Sequence, residues 1–310
     1  MSGSSRKVIF AALLGNTLIA LTKFIAAAIT NSSAMLSEGI HSLVDTGNQL
    51  LLLYGLKRAR KPADEMFPFG HGKEVYFWSF VVAIMVFAVG AGVSLYEGVL
   101  RLRQPEPLQH VFINYIILTL AFLFEGSAWL FALREFSRQK GKVGYLQAVQ
   151  RAKDPSIFVV LFEDTAAMLG LAVALLATFL GQVTGIVYFD GAASIIIGLI
   201  LATTAIWLAY ETKGLLIGER ASADVVDGIR AIVSAVPEVK HVNEIATMHM
   251  GPDFVLANLS LDFVDNIPSQ VVEQTITRIT VQIKADFPVV KRVFIEIESW
   301  QSHTSGTAKA

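Results

Sequence analysis

Six stretches of this chain, residues 8–29, 34–56, 75–100, 110–131, 156–180 and 189–210, are each long and apolar enough to cross a bilayer, for which about 20 residues suffice. Composition agrees with that reading. Hydrophobic residues make up 54% of the 310 and charged residues 16%, against about a quarter in a soluble domain, so apolar surface has to be buried in lipid. The first run starts too near Met1 to leave room for a transit peptide. It is also too long for a cleaved signal peptide, so it is expected to be a retained span. There are no cysteines, which excludes disulfides and thiolate metal sites and leaves His, Asp, Glu and neutral oxygen as the only metal ligands.

Charge distribution orients the six spans. Lys and Arg gather in the N-terminal stub (Arg6, Lys7), after the second run (Lys57, Arg58, Arg60, Lys61, Lys73) and after the fourth (Arg134, Arg138, Lys140, Lys142, Arg151, Lys153). The opposite connections hold only Arg101 and Arg103, so by the positive-inside rule both termini are cytoplasmic. A net charge of -1 makes no case for nucleic acid. A bacterial inner membrane is expected for a multi-pass chain with neither cysteines nor a transit peptide.

Beyond Lys213 the apolar runs shorten and alternate with polar residues, as in a soluble domain. Ser222 is placed to cap a helix through Val225, Ile229 and Ile232. Residues 242–250 and 255–263 alternate as strands around a Gly251-Pro252-Asp253 turn. Pro268 opens a second helix with Val271, Ile276, Ile279 and Ile283 on one face, and residues 292–298 close as a strand. The order αββαβ predicts a small α+β sandwich with two helices on one sheet face and the other face free for a partner. The expected division is a six-helix, all-α transmembrane bundle (1–212), a cytoplasmic α+β domain (213–300) and a polar tail (301–310).

The second span is too polar for lipid. It reads Ser37-Glu38-Gly39-Ile40-His41-Ser42-Leu43-Val44-Asp45-Thr46-Gly47-Asn48, and at 3.6 residues per turn His41 lies one turn from Asp45. Glu38 and Asn48 extend that stripe in each direction. A charge near the bilayer centre costs about 2.5–3.5 kcal/mol on insertion scales, so such residues mark function more often than packing. The fifth span adds Glu163-Asp164, which point about 100° apart on a helix. Asp164 is the favoured ligand, and Glu163 is either a ligand or its neighbour. Such N and O donors from two helices suit a tetrahedral Zn²⁺ site and would also accept Mn²⁺, Fe²⁺, Co²⁺ or Cd²⁺. Lys23 and Glu125 are two further charges at membrane depth, whose pairing would lower the burial cost of each; they are read as structural or gating groups, not as ligands.

His41-Ser42-Leu43-Val44-Asp45, followed by Phe69-Gly70-His71-Gly72-Lys73-Glu74 before the third span, resembles the cation diffusion facilitator family. The resemblance covers nearly the whole chain. It implies six helices, cytoplasmic termini and a metallochaperone-like C-terminal domain. It also implies a homodimer that exports zinc or a related ion in exchange for protons. The family pattern has His or Asp four residues before the fifth-span Asp, where this chain has Val160. With Glu163-Asp164, that departure resembles the subgroup of the animal mitochondrial zinc transporter. Some family members bind a further metal in the loop after the second span. His71 is therefore either an accessory ligand or a loop histidine between turn glycines. Gly70-His71-Gly72-Lys73 lacks the spacing of a phosphate loop, so no nucleotide is expected. His241, His249, Glu296 and Glu298 carry a weak signal for regulatory metal, and His110 and His303 carry none.

Three functions compete on the sequence. The first is a metal–proton antiporter, for zinc or, in the same fold, manganese or iron. The second is an intramembrane metal-dependent hydrolase, which lacks His-Glu-x-x-His, Gly-x-Ser-x-Gly and a second membrane histidine, so no enzyme is expected. The third is a metal sensor acting through the C-terminal domain.

Overall fold

A computed structural model describes residues 3–107, 110–140, 144, 153 and 155–307, without the side chains of 3–15, 135, 138–140, 156–157 and 306–307. Of the basic residues used to orient the spans, Lys142 and Arg151 lie outside the described residues. Six long helices come first: α1 (Gly3–Thr30), α2 (Ser33–Ala59), α3 (Glu74–Arg103), α4 (Val111–Lys140), α5 (Pro155–Thr184) and α6 (Tyr188–Ile217). A single π-helical turn, Val86–Ala91, interrupts α3. The helix α3 and the stretches Val111–Arg134, Phe158–Thr184 and Tyr188–Ile217 meet the length and apolarity of a membrane span. The described apolar part of α1 is shorter, Asn16–Thr30, and the polar string keeps α2 below that apolarity.

Tight turns and small residues set the helix packing. Asn31 closes α1 in a left-handed conformation (φ 56°), its N–H bonded to Ala27 O, and α2 begins two residues later. Lipid supplies no hydrophobic drive between helices, so close packing at small residues has to hold them. A Cβ on Gly98 of α3 would sit 2.8 Å from Ile195 N and 2.9 Å from Gly191 O, both on α6. Reciprocally, a Cβ on Gly198 of α6 would sit 3.0 Å from Leu95 N. Gly55 of α2 receives Trp78 of α3, and Gly39 of α2 receives Phe24 of α1. Trp129 Nε1 donates to Thr165 Oγ1 (2.9 Å) between α4 and α5, and Phe162 packs on Trp207 (4.2 Å) between α5 and α6.

The chain divides into two compact units, Met1–Arg58 with Val75–Lys213, and Ala59–Glu74 with Gly214–Ala310. The second unit holds α7 (Ala223–Ser234), β1 (Val239–Gly251), β2 (Phe254–Phe263), α8 (Ser269–Asp286), β3 (Val290–Ile297) and α9 (Trp300–Thr307). β1 and β2 form an antiparallel hairpin. β3 pairs parallel to β2 after the α8 crossover, in the order β1-β2-β3. Ile229 and Val233 of α7 and Ile279 and Ile283 of α8 bury one sheet face, against Val255, Ala257, Leu259 and Leu261. This is the expected αββαβ order, with one addition: the expected polar tail contains α9.

The opposite sheet face differs from the expectation that it is free, because the chain partly covers it. Phe294, between the core residues Val293 and Ile295, meets Phe69 edge-on at 6.4 Å. Gly72 abuts the backbone of Met250 and Gly251, too closely for a Cβ. At the other end Trp300 of α9 lies on His241 (4.0 Å), and its N–H donates to Asp262 Oδ2 (3.2 Å).

The Gly98 contact generates a prediction. Gly98→Val forces side-chain atoms into the α6 backbone and should destabilise the bundle by about 1–3 kcal/mol. Thermal unfolding of detergent-solubilised protein should show a lower midpoint. An unchanged midpoint would mean the two helices do not meet there.

Candidate metal centre

The polar stripe of α2 turns inward and touches α1, α4 and α5. At its middle, Lys23 Nζ of α1 donates to Glu38 Oε2 (3.2 Å), Ser42 Oγ (2.8 Å) and Glu125 Oε1 (2.6 Å). Three bonds use all three ammonium donors, and two of the three come from carboxylates that offset the fully buried charge. The Lys23–Glu125 pair is therefore present. Glu38, expected in the ligand stripe, instead balances Lys23, while its Oε1 lies against Gly170 of α5, where a Cβ would collide with it.

His41 and Asp45 meet on α2, with Nδ1 3.4 Å from Oδ1 but without hydrogen-bond alignment. Among the described residues neither ring nitrogen of His41 has a hydrogen-bond partner, although the residue is 1% exposed. Buried polar atoms are almost always satisfied, so two bare nitrogens on one imidazole need a reason. Asn48 Nδ2 donates to Glu163 Oε1 (2.5 Å), and the Glu163 carboxyl also reaches Asp45. Glu163 thus turns to α2. One residue on, Asp164 faces a cavity of about 220 Å³ together with Asp45, Ser42, Gln49 and Glu125. The cavity is lined from the middle of α2, the middle and second half of α4 and the first half of α5. Its donors surround the space without closing on it: among the described residues no group of three His, Asp or Glu is drawn together tightly enough to hold a metal ion.

His71 is not brought to these residues. It sits in the second unit, its ring packed on Phe67 (4.6 Å) and its Nε2–H bonded to Asp64 Oδ2 (2.9 Å). That bond, helped by the Phe67 backbone N–H, holds the exposed Asp64 carboxyl below the usual aspartate range. In the C-terminal sheet His249 is buried with Nδ1 3.3 Å from Gly251 O, and His303 pairs with Glu298 (2.9 Å).

Family comparison adds to this geometry. Residues 9–217 match the cation efflux transmembrane domain, and residues 221–300 match the cation efflux protein cytoplasmic domain. The chain belongs to the cation efflux family. One relative, the proton-coupled zinc antiporter SLC30A9, mitochondrial, of Xenopus laevis, is 33% identical over 260 residues, 83% of this chain and 46% of that protein. The Homo sapiens protein of that name is 32% identical over 259 residues, with the same shares. The chain spans about half the length of these relatives. The manganese efflux system protein MneP of Bacillus subtilis is 21% identical over 297 residues, 96% of each chain.

Asp190 is a buried residue of the bundle that sequence reasoning did not single out. In the first turn of α6, its carboxylate accepts from Ser32 Oγ (2.5 Å), Ser33 N (2.6 Å), Ser33 Oγ (2.7 Å) and Ala34 N (3.3 Å). It caps α2 across the bundle, satisfying two N–H groups that a helix leaves bare and complementing the positive end of its dipole. The visible signal was a lone acid opening one span and a Ser-Ser pair opening another. Asp190→Ala should therefore cost about 1–3 kcal/mol, the price of stranding buried donors. Hydrogen exchange at the Ser33 and Ala34 amides should accelerate. Unchanged exchange there would refute the clamp.

Proposed function

We propose that this chain moves a divalent transition metal, zinc foremost, out of the cytoplasm in exchange for protons. One observation carries the reading: Asp45 from α2 and Asp164 from α5 face a single cavity inside the bundle. His41 does not line that cavity, but its Nδ1 lies 3.4 Å from Asp45 Oδ1 and its ring has no hydrogen-bond partner among the described residues. His41, Asp45 and Asp164 are the proposed ligands. Glu163 and Asn48 support Asp45, Glu38 serves as counter-charge to Lys23, and His71, a residue of the second unit, is left out of this ligand set. The names of the SLC30A9 relatives support zinc and proton coupling for this chain too. The carboxylate-rich donor set and the MneP relative favour manganese as a second reading.

The mechanism follows from the donors. Metal binds carboxylate and neutral imidazole, so protons compete with it for the same atoms, and loading the ion releases protons. α4 and α5 line the cavity from the side of the Lys- and Arg-rich connection between them, which the positive-inside rule makes the cytoplasmic side. The ion is loaded from that side. After the bundle reopens to the opposite side, protons arriving there displace it. The bundle would comprise residues 1–212 and the cytoplasmic domain 213–300. We assign the chain to a homodimer, for which exposed apolar side chains such as Val281 and Ile297 of the cytoplasmic domain offer surface.

Reconstituted vesicles test this. An imposed pH gradient should drive zinc uptake. Asp45→Ala and Asp164→Ala should each lower the rate by at least about tenfold, the lower end of the 10- to 100-fold range seen when even outer-shell support of a metal site is lost. Uptake that ignores the gradient, or that survives both substitutions, would sink the proposal.

A further inference from the structure

Glu125 does more than balance Lys23. It lies on α4, a helix outside the proposed ligand set, yet its side chain lines the same cavity as Asp45 and Asp164. Oε1 is engaged by Lys23 Nζ (2.6 Å), with Ser42 Oγ 3.4 Å away, whereas Oε2 is buried and has no hydrogen-bond partner among the described residues. An ionised carboxylate has lone pairs to offer on both oxygens, so half of this group is uncommitted.

The opposite wall is short of donors. α5 presents Val160, Asp164 and Ala167 to the cavity, and only Asp164 among them can bind a cation. α2 adds one acid, Asp45, with the neutral Ser42 and Gln49. Lys23 would not be stranded if Glu125 turned away, because Glu38 (3.2 Å) and Ser42 (2.8 Å) hold it independently. Lys23 and Glu38 then remain as a neutral pair, and Glu125 is free to add a third carboxylate to the ion.

We infer that Glu125 is a substrate-contacting, specificity-determining residue. It exchanges the Lys23 ammonium for the transported cation and supplies from α4 a ligand that α5 lacks at Val160. This inference rests on the metal-transport reading above. It makes the site oxygen-rich, with one imidazole among three carboxylates, and so less selective for zinc over manganese than a site with more nitrogen.

The test measures Zn²⁺ and Mn²⁺ affinity by calorimetry on the purified full chain in lipid nanodiscs. The proteins compared are wild type, Asp164→Ala, Glu125→Gln and Glu125→His. Asp164→Ala should weaken zinc binding at least tenfold; if it binds like wild type, the metal-site reading fails and this inference falls with it. If that loss is seen, Glu125→Gln should also weaken zinc at least tenfold. Glu125→His should raise the zinc-over-manganese preference at least tenfold. A role confined to the ion pair with Lys23 would alter the unfolding temperature of both variants and leave the preference as in wild type, and that result overturns the inference alone. Should Glu125→Gln not fold, Glu125→Asp keeps the charge for Lys23 while drawing the carboxylate back from the cavity. It should then weaken zinc at least threefold, and wild-type affinity in that variant counts against the inference.

Discussion

A helix at membrane depth that carries Ser37, Glu38, His41, Ser42, Asp45 and Asn48 cannot turn that face to lipid, and the other helices are arranged to cover it. α1 supplies Lys23, α4 supplies Glu125, α5 supplies Glu163 and Gly170, and α6 supplies Asp190. Each contact answers one polar group of α2, or one end of its backbone, with a partner from a different helix. The helix least suited to lipid is thereby the one most completely tied into the bundle.

The polar groups inside the bundle fall into two sets. Lys23 with Glu38, Asp190 with Ser32 and Ser33, and Asn48 with Glu163 are matched and hold helices together. His41 Nδ1 and Nε2, Asp45 Oδ1 and Glu125 Oε2 are buried and bare, and Asp45 and Glu125 line the cavity. Bare buried donors and acceptors oppose folding, and sites that leave them are commonly functional. Matched groups build the scaffold. Bare atoms also occur at Ser37, Glu38, Ser79, Ser94 and Asn114, which do not line the cavity, so it is the cavity position of Asp45 and Glu125 that opens them to a cation. In the second unit the core is apolar, and its second sheet face is partly covered by Ala59–Glu74 and α9.

Much of this was legible in the sequence, and for a physical reason. Period and length reveal helices, so all six spans and the αββαβ order could be read directly. Charges that lipid will not accept stand out in apolar text, which is how Lys23, His41, Asp45, Glu125 and Asp164 were found. Partner choice was not legible. Glu38 shares the His41 and Asp45 stripe, but its long side chain leaves that stripe for Lys23, and spacing on one helix cannot show what lies on the next. Glu163 and Asp164 could be told apart only once α5 was placed against α2. Asp190 escaped because an acid at a span end is ordinary, and its four donors come from residues 156 to 158 positions earlier.

The central claim is that α2 and α5 together grip one divalent cation inside the bundle. A zinc-loaded structure of the full chain measures this most directly. The account predicts a single ion peak in the cavity with carboxylate oxygens of Asp45 and Asp164 at about 2.0–2.2 Å. Zinc bound only outside the bundle, with the space between those two carboxylates empty at saturating metal, would contradict it.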